Sequence, residues 1–130
     1  MGMPGLETLM PLTYTSGVLG GRLTLEEMCM KLSTNPAKIM GLYPRKGAIQ
    51  VGADADIAII HPNATRTVSP STMETNADWS PYDGWDLAGF ARTTLSRGTV
   101  IVEDYKVVGR AGRGQWLPRT SDVAEMAGAR

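Results

Sequence analysis

The stretch Lys46-Gly47-Ala48-Ile49-Gln50-Val51-Gly52-Ala53-Asp54-Ala55-Asp56-Ile57-Ala58-Ile59-Ile60 decides the fold class, because the spacing of apolar residues changes period across it. Gly52-Ala53-Asp54 reads as a turn, and the compact run from Ala55 to Ile60 behind it reads as a buried strand. Lys46 to Gly52 reads as a short strand or the edge of a turn. Before this stretch the spacing is helical. Leu6, Leu9, Met10, Leu12 and Tyr14 form an apolar stripe running toward Val18, and Gly20-Gly21 ends it. Pro11 within that stripe implies a kink or a late start. Thr24 followed by Glu27 is a capping box, so a helix is expected there that buries Leu25, Met28, Cys29 and Leu32. Thr34-Asn35-Pro36, a capping pair with proline at the first helical position, then predicts a second short helix through Ile39 and Met40, closed by Gly41.

Beyond the stretch the chain reads as short strands. Thr65 to Val68 is a candidate partner for the first strand. Ser69 to Asp86 has no periodicity, and a loop of that length is expected to lie against other surface, with Trp79, Tyr82 and Trp85 needing something to pack on. Phe90 to Leu95, Thr99 to Val102 and Lys106 to Val108 predict an antiparallel meander, with hairpin turns at Ser96-Arg97-Gly98 and Glu103-Asp104-Tyr105. From Ala111 the tail is rich in Gly and Arg, then weakly helical over Ser121 to Met126. Helices followed by antiparallel strands place the chain in the α+β class.

Composition narrows the possibilities. The 130 residues allow one modest core, and 13 basic against 13 acidic residues leave no net charge to draw a nucleic acid or an anionic membrane. No apolar run approaches the ~20 residues that cross a bilayer. The apolar start, broken by Pro4, Gly5, Glu7 and Pro11 and lacking a basic lead, is not expected to be a signal peptide. Cys29 is the one cysteine, so no internal disulfide is possible; it is expected to be a packed core thiol in a reducing, cytoplasmic setting.

Catalytic chemistry is sparse. His61 is the one histidine, so neither a His-rich zinc site nor a Ser-His pair has a full set of residues. Placed after Ile59-Ile60 and before Pro62, it reads as a surface residue at a strand end. Asp54 and Asp56 share one side of an extended segment, and hydrogen bonds capping the turn account for both. Gly109-Arg110-Ala111-Gly112-Arg113-Gly114 resembles an RG-rich tract only superficially and reads as a solvated, flexible turn. No catalytic residue and no metal ligand is assigned.

Three stretches together resemble the cyclic amidohydrolases. Gly2-Met3-Pro4-Gly5-Leu6-Glu7-Thr8-Leu9-Met10-Pro11-Leu12 is similar to the segment after the last barrel strand in allantoinases and dihydroorotases. Ser33-Thr34-Asn35-Pro36-Ala37-Lys38-Ile39-Met40-Gly41-Leu42, continuing through Gly52-Ala53-Asp54-Ala55-Asp56-Ile57, is similar to the exit from that barrel. Thr94-Leu95-Ser96-Arg97-Gly98-Thr99-Val100 and Gly112-Arg113-Gly114-Gln115-Trp116-Leu117-Pro118-Arg119 resemble the end of dihydropyrimidinases and hydantoinases.

The resemblance implies the last helices of a truncated (β/α)₈ metal-dependent hydrolase barrel, followed by part of a small β-sandwich. On it, residues 1–43 are barrel helices, residues 44–110 are sandwich strands with a long loop at 69–87, and residues 111–130 are a tail. A complete barrel needs ~250 residues, so the remainder is expected upstream. The resemblance further implies a parent enzyme with two divalent metals of the zinc type, held upstream and not by this chain. That parent opens a ring amide of hydantoin, dihydropyrimidine, allantoin or dihydroorotate type. Gly2 and Met3 map to a loop whose backbone faces the substrate, although Met1 stands where hydantoinases often carry asparagine. The expected partners are the rest of the enzyme or like subunits in a homo-oligomer, with no nucleic acid and no membrane. The alternative is a non-catalytic assembly or scaffold module of the same family.

Overall fold

The computed structural model describes residues 2–119. Helix α1 (Leu9–Leu12) runs on into a wider, π-helical stretch over Thr13–Leu19. It starts late, after Thr8, and Leu6 before it is almost fully exposed. Pro11 therefore sits in the first turn, where a missing N–H costs nothing. Gly20 and Gly21 end the helix as expected, Gly21 at φ 69°.

Helix α2 (Leu25–Cys29) opens with the capping box: Thr24 N–H donates to Glu27 Oε2 at 2.8 Å, and Glu27 N–H donates to Thr24 Oγ1 at 3.1 Å. The short helix expected after Thr34 forms as α3 (Asn35–Ile39), but Thr34 does not cap it: the chain is already helical through Met30–Thr34, and Thr34 has helical φ and ψ. The Thr34 hydroxyl is engaged elsewhere, donating to the Gly47 carbonyl at 2.7 Å. Pro36 in mid-helix would press on the carbonyl four residues back. The widened π-turn over Met30–Thr34 absorbs that crowding. Gly41, at φ 66°, closes α3 as predicted.

The strands are β1 (Ile57–Ile60), β2 (Thr65–Thr67), β3 (Asp86–Ala88), β4 (Ala91–Ser96), β5 (Thr99–Glu103) and β6 (Lys106–Val107). One sheet has the order β1-β4-β5-β6, and a second pairs β2 with β3. Thr65–Val68 was expected beside the first strand; its partner is β3, in the register Thr65↔Ala88, Arg66↔Leu87, Thr67↔Asp86. The long loop therefore ends in a strand, and within it Pro70–Thr72 forms one 3₁₀ turn. The meander is as predicted. Its two-residue turns have positive φ at both positions, 47° and 75° at Arg97-Gly98 and 46° and 66° at Asp104-Tyr105, matching the twist of the flanking strands. Lys46–Gly52 forms turns and bends rather than a strand.

Two compact units divide the chain. The first takes Met1–Met28 and Ile59–Arg92; the second takes Cys29–Ala58 and Thr93 onward. The first holds most of the core: Val68 at 1% exposure and Leu87 at 2%, with Tyr14, Pro11 and Thr8. The Thr15 hydroxyl fastens the helix to β3 there, accepting from Ala88 N–H at 2.9 Å and lying 3.2 Å from the Ala88 carbonyl. In the second unit, Ala37 is buried and the Gly47 turn rests against it. A Cβ on Gly47 would lie 2.6 Å from that of Ala37.

Two burial expectations fail. In α2 only Met28 is buried; Leu25 and Cys29 are exposed and Leu32 is half-buried, because a single narrow stripe of this helix meets the rest of its fold. The β1 strand is not buried either, with Ile59 at 50% exposure. The helix expected over Ser121 to Met126 lies outside the described residues.

Candidate functional site

Gly2 and Met3 lie in the irregular segment before α1, both exposed. A Cβ on Gly2 would meet nothing within 4 Å, so the local structure itself does not demand glycine there. His61 is exposed directly after β1, where the sequence places it.

The densest group of charged side chains lies around the Gly52-Ala53-Asp54 turn. Lys46 Nζ bonds Asp54 Oδ2 at 2.9 Å and also Asp56 Oδ2, while Arg45 Nε donates to Asp54 Oδ2 at 3.1 Å. Asp56 Oδ1 accepts the Arg97 N–H at 2.7 Å, which ties the turn to the hairpin between β4 and β5. The Lys46 hydrogen bond is the main reason the Asp54 carboxyl titrates below its ordinary value. For Asp56 partial burial pushes upward, but the Lys46 and Arg97 bonds outweigh it and the net shift is downward. Burial likewise pushes Lys46 down, and its two carboxylate partners reverse that and raise it. Turn capping alone was expected for these aspartates; most of their bonds are ion pairs. Arg45 and Lys46, eight to ten residues earlier, were the visible signal, and only the fold brings them across.

Arg113 is likewise more engaged than a solvated turn would leave it. Its Nη2 donates to the Ser96 carbonyl at 2.8 Å, and Arg97 Nη2 donates in return to the Arg113 carbonyl. This pair of guanidinium contacts docks the start of the tail on the hairpin. Cys29 is exposed and free.

These groups bind one another. Among the described residues, no three His, Cys, Asp or Glu side chains gather where they could hold a metal ion. The Oδ2 oxygens of Asp54 and Asp56 already face cations and Asp56 Oδ1 takes the Arg97 N–H, whereas a zinc site needs several free donors converging on one point. The donor set here does not fit a metal centre.

A model of the amidohydrolase family matches residues 5–102, three quarters of the chain. The chain belongs to the amidohydrolase family. Within that family it is 41% identical over 118 residues to D-phenylhydantoinase of Escherichia coli O1:K1 / APEC, which takes in 91% of this chain and 26% of that protein. It superposes on D-hydantoinase (dihydropyrimidinase) from Thermus sp. with a TM-score of 0.87 at 39% identity, covering 91% of this chain and 26% of the other. For L-hydantoinase (dihydropyrimidinase) from Arthrobacter aurescens the TM-score is 0.79 at 40% identity, over 83% and 24% of the two chains. This member of the family thus spans about a quarter of the length of the hydantoinases it matches. No helix among its described residues is long and apolar enough to cross a membrane.

Proposed function

We propose that this chain serves as the C-terminal part of a metal-dependent cyclic amidohydrolase and does not hydrolyse the ring amide by itself. The observation that carries this reading is the 41% identity to a hydantoinase across 91% of the chain but only 26% of the relative. On this reading residues 1–43 are the last helices of a barrel, residues 44–110 belong to a β-sandwich, and residues 111–130 are a tail. The exposed apolar side chains support it. Leu9, Leu19, Leu25, Met30 and Ile39 are each more than half exposed along the helices, as expected of helices whose barrel strands lie elsewhere.

The two divalent metals of such an enzyme belong to the remaining three quarters, since the donors here do not fit them. No step of the hydrolysis is assigned to this chain's side chains. Its contribution to the site is the backbone of Gly2 and Met3, beside a hydantoin, dihydropyrimidine, allantoin or dihydroorotate type of ring. The partners are the rest of the enzyme and like subunits, in the cytoplasm.

Two measurements test this. The purified chain should contain no stoichiometric metal and should not open hydantoin or dihydrouracil. Joined in one polypeptide to the other three quarters of the E. coli D-phenylhydantoinase, it should give metal-dependent ring opening. Turnover with bound metal by the chain alone would overturn the proposal, as would an inactive but folded and metal-loaded fusion.

A further inference from the structure

A loop as long as Ser69 to Asp86 needs other surface to lie on, and the first unit supplies it. The base of the loop is rooted in the core. Val68 is buried, its N–H donates to the Trp85 carbonyl at 2.8 Å, and its own carbonyl accepts the Gly84 N–H at 2.9 Å. Along the loop the hydroxyls of Ser69, Thr72, Thr75 and Ser80 close local turns, each with a partner two or three residues away. Glu74 is held differently: its N–H donates at 2.9 Å to Oε2 of Glu7, 67 residues away in the sequence. An ionised carboxylate accepting a backbone N–H makes a charge-assisted bond, roughly twice as strong as a neutral one. Glu7 also stands on a firm footing. Thr8 beside it is fully buried, donates its hydroxyl to the Gly5 carbonyl at 3.2 Å, and accepts the Leu12 N–H on its own carbonyl at 2.9 Å. The turn from Gly5 to Thr8 is thereby fixed to the start of α1, while Gly2 and Met3 just before it are exposed.

We infer that Glu7 is a positioning residue for the ring substrate: by accepting the Glu74 N–H it ties the middle of the long loop to the turn that carries Gly2 and Met3, and so steadies the backbone that faces the ring. The inference rests on the function proposed above, which puts Gly2 and Met3 beside the substrate, and adds the side chain that holds them there. Glu7 touches no reacting atom. Its effect is on how well the ring is gripped, in the ground state and the transition state alike, so its loss raises KM and leaves kcat nearly unchanged. The carboxylate acts through its acceptor oxygen, so glutamine, which keeps a carbonyl at the same reach, serves in its place.

The test is steady-state kinetics on dihydrouracil in the single-chain fusion, with hydrogen exchange on the 130-residue chain beside it. Glu7→Ala removes the acceptor and should raise KM at least about fivefold with kcat within about twofold, while Glu7→Gln should keep KM within about threefold of the unaltered fusion. Glu74→Pro removes the donor and leaves Glu7 in place; Met73 before it is extended, at φ −98° and ψ 153°, which suits a following proline. It should raise KM as Glu7→Ala does, and the double variant should be no worse than either, since both delete one bond. In the chain alone, the Glu74 amide should exchange at least about fivefold faster in Glu7→Ala than in the unaltered protein. Four results would overturn the inference: KM unmoved by both variants, kcat falling at constant KM as expected of a smaller folded fraction, glutamine as damaging as alanine, or equal exchange at Glu74 with and without Glu7. Any of these in an active fusion would leave the proposed function standing. An inactive unaltered fusion, folded and metal-loaded, would remove both.

Discussion

Gly89 and Gly84 sit at nearly the same positive φ, 84° and 78°, but in different surroundings. A Cβ on Gly84 would meet nothing within 4 Å; one on Gly89 would lie 2.7 Å from Tyr14 Cβ and Cδ1 and 2.8 Å from Cγ. Replacing each with alanine therefore separates backbone strain from packing. The left-handed backbone costs an alanine about 1–2 kcal/mol. Against that, the stiffer unfolded chain returns about 0.4–1 kcal/mol. Gly84→Ala should thus cost up to about 1.5 kcal/mol. Gly89→Ala carries the same strain plus overpacking of about 1–3 kcal/mol. The overlap has no cheap escape, because a tyrosine ring can rotate but its Cβ moves only with the helix backbone. Tyr14 is also itself buried, at 6% exposure, so the helix has little room to give. Urea unfolding followed by tryptophan fluorescence reads both variants, since Trp79 and Trp85 lie in the same unit as these glycines. Equal losses in the two variants would refute the close packing of Tyr14 on Gly89.

Other expectations concern the remaining contacts. Thr15→Val removes the acceptor for the buried Ala88 N–H and should cost about 1–3 kcal/mol, with Thr15→Ser retaining most of the stability in the same urea assay. Asp54 and Asp56 titrate below their ordinary values in the fold, so their stabilisation is present above the ordinary carboxylate range and is lost as pH falls through their lowered values. Lys46→Met should therefore be less stable than the native chain near neutrality, and the gap should narrow in acid; a gap constant with pH would refute the clasp. Cys29 is exposed, so one thiol per chain should react with a disulfide reagent without denaturant. A thiol that reacts only after unfolding would contradict the structure.

What was legible in the sequence is what local chemistry alone determines. The Thr24–Glu27 box, the glycine stops at Gly20-Gly21 and Gly41, and the two hairpin turns act within a few residues, and all are found. What failed depended on distant segments. Thr34 looks like a cap because its hydroxyl suits one, but the Gly47 carbonyl, thirteen residues on, takes that hydroxyl. Cys29 and Leu25 carry the apolar character of core residues, and no periodicity tells which part of a wide apolar stripe is covered. The same holds for β1, whose composition suits an interior strand and whose place in the order puts it at an edge. In the candidate site, His61 fell where expected, while the bridging of Asp54 and Asp56 by Lys46 required the turn to fold back.

The first unit interleaves two distant parts of the chain, Met1–Met28 and Ile59–Arg92. During synthesis, the helix bearing Tyr14 and Thr15 therefore emerges long before the strand it is fastened to. Thr15 and Ala88 are 73 residues apart, which at about 5–20 residues per second leaves this helix waiting about 4–15 s for its partner. Throughout that interval Tyr14 has no β3 to cover it, and the nascent chain displays an apolar helix to chaperones, proteases and neighbouring chains. The length of that exposure is thus set by the speed of translation between Thr15 and Ala88, and not by the stability of the finished fold.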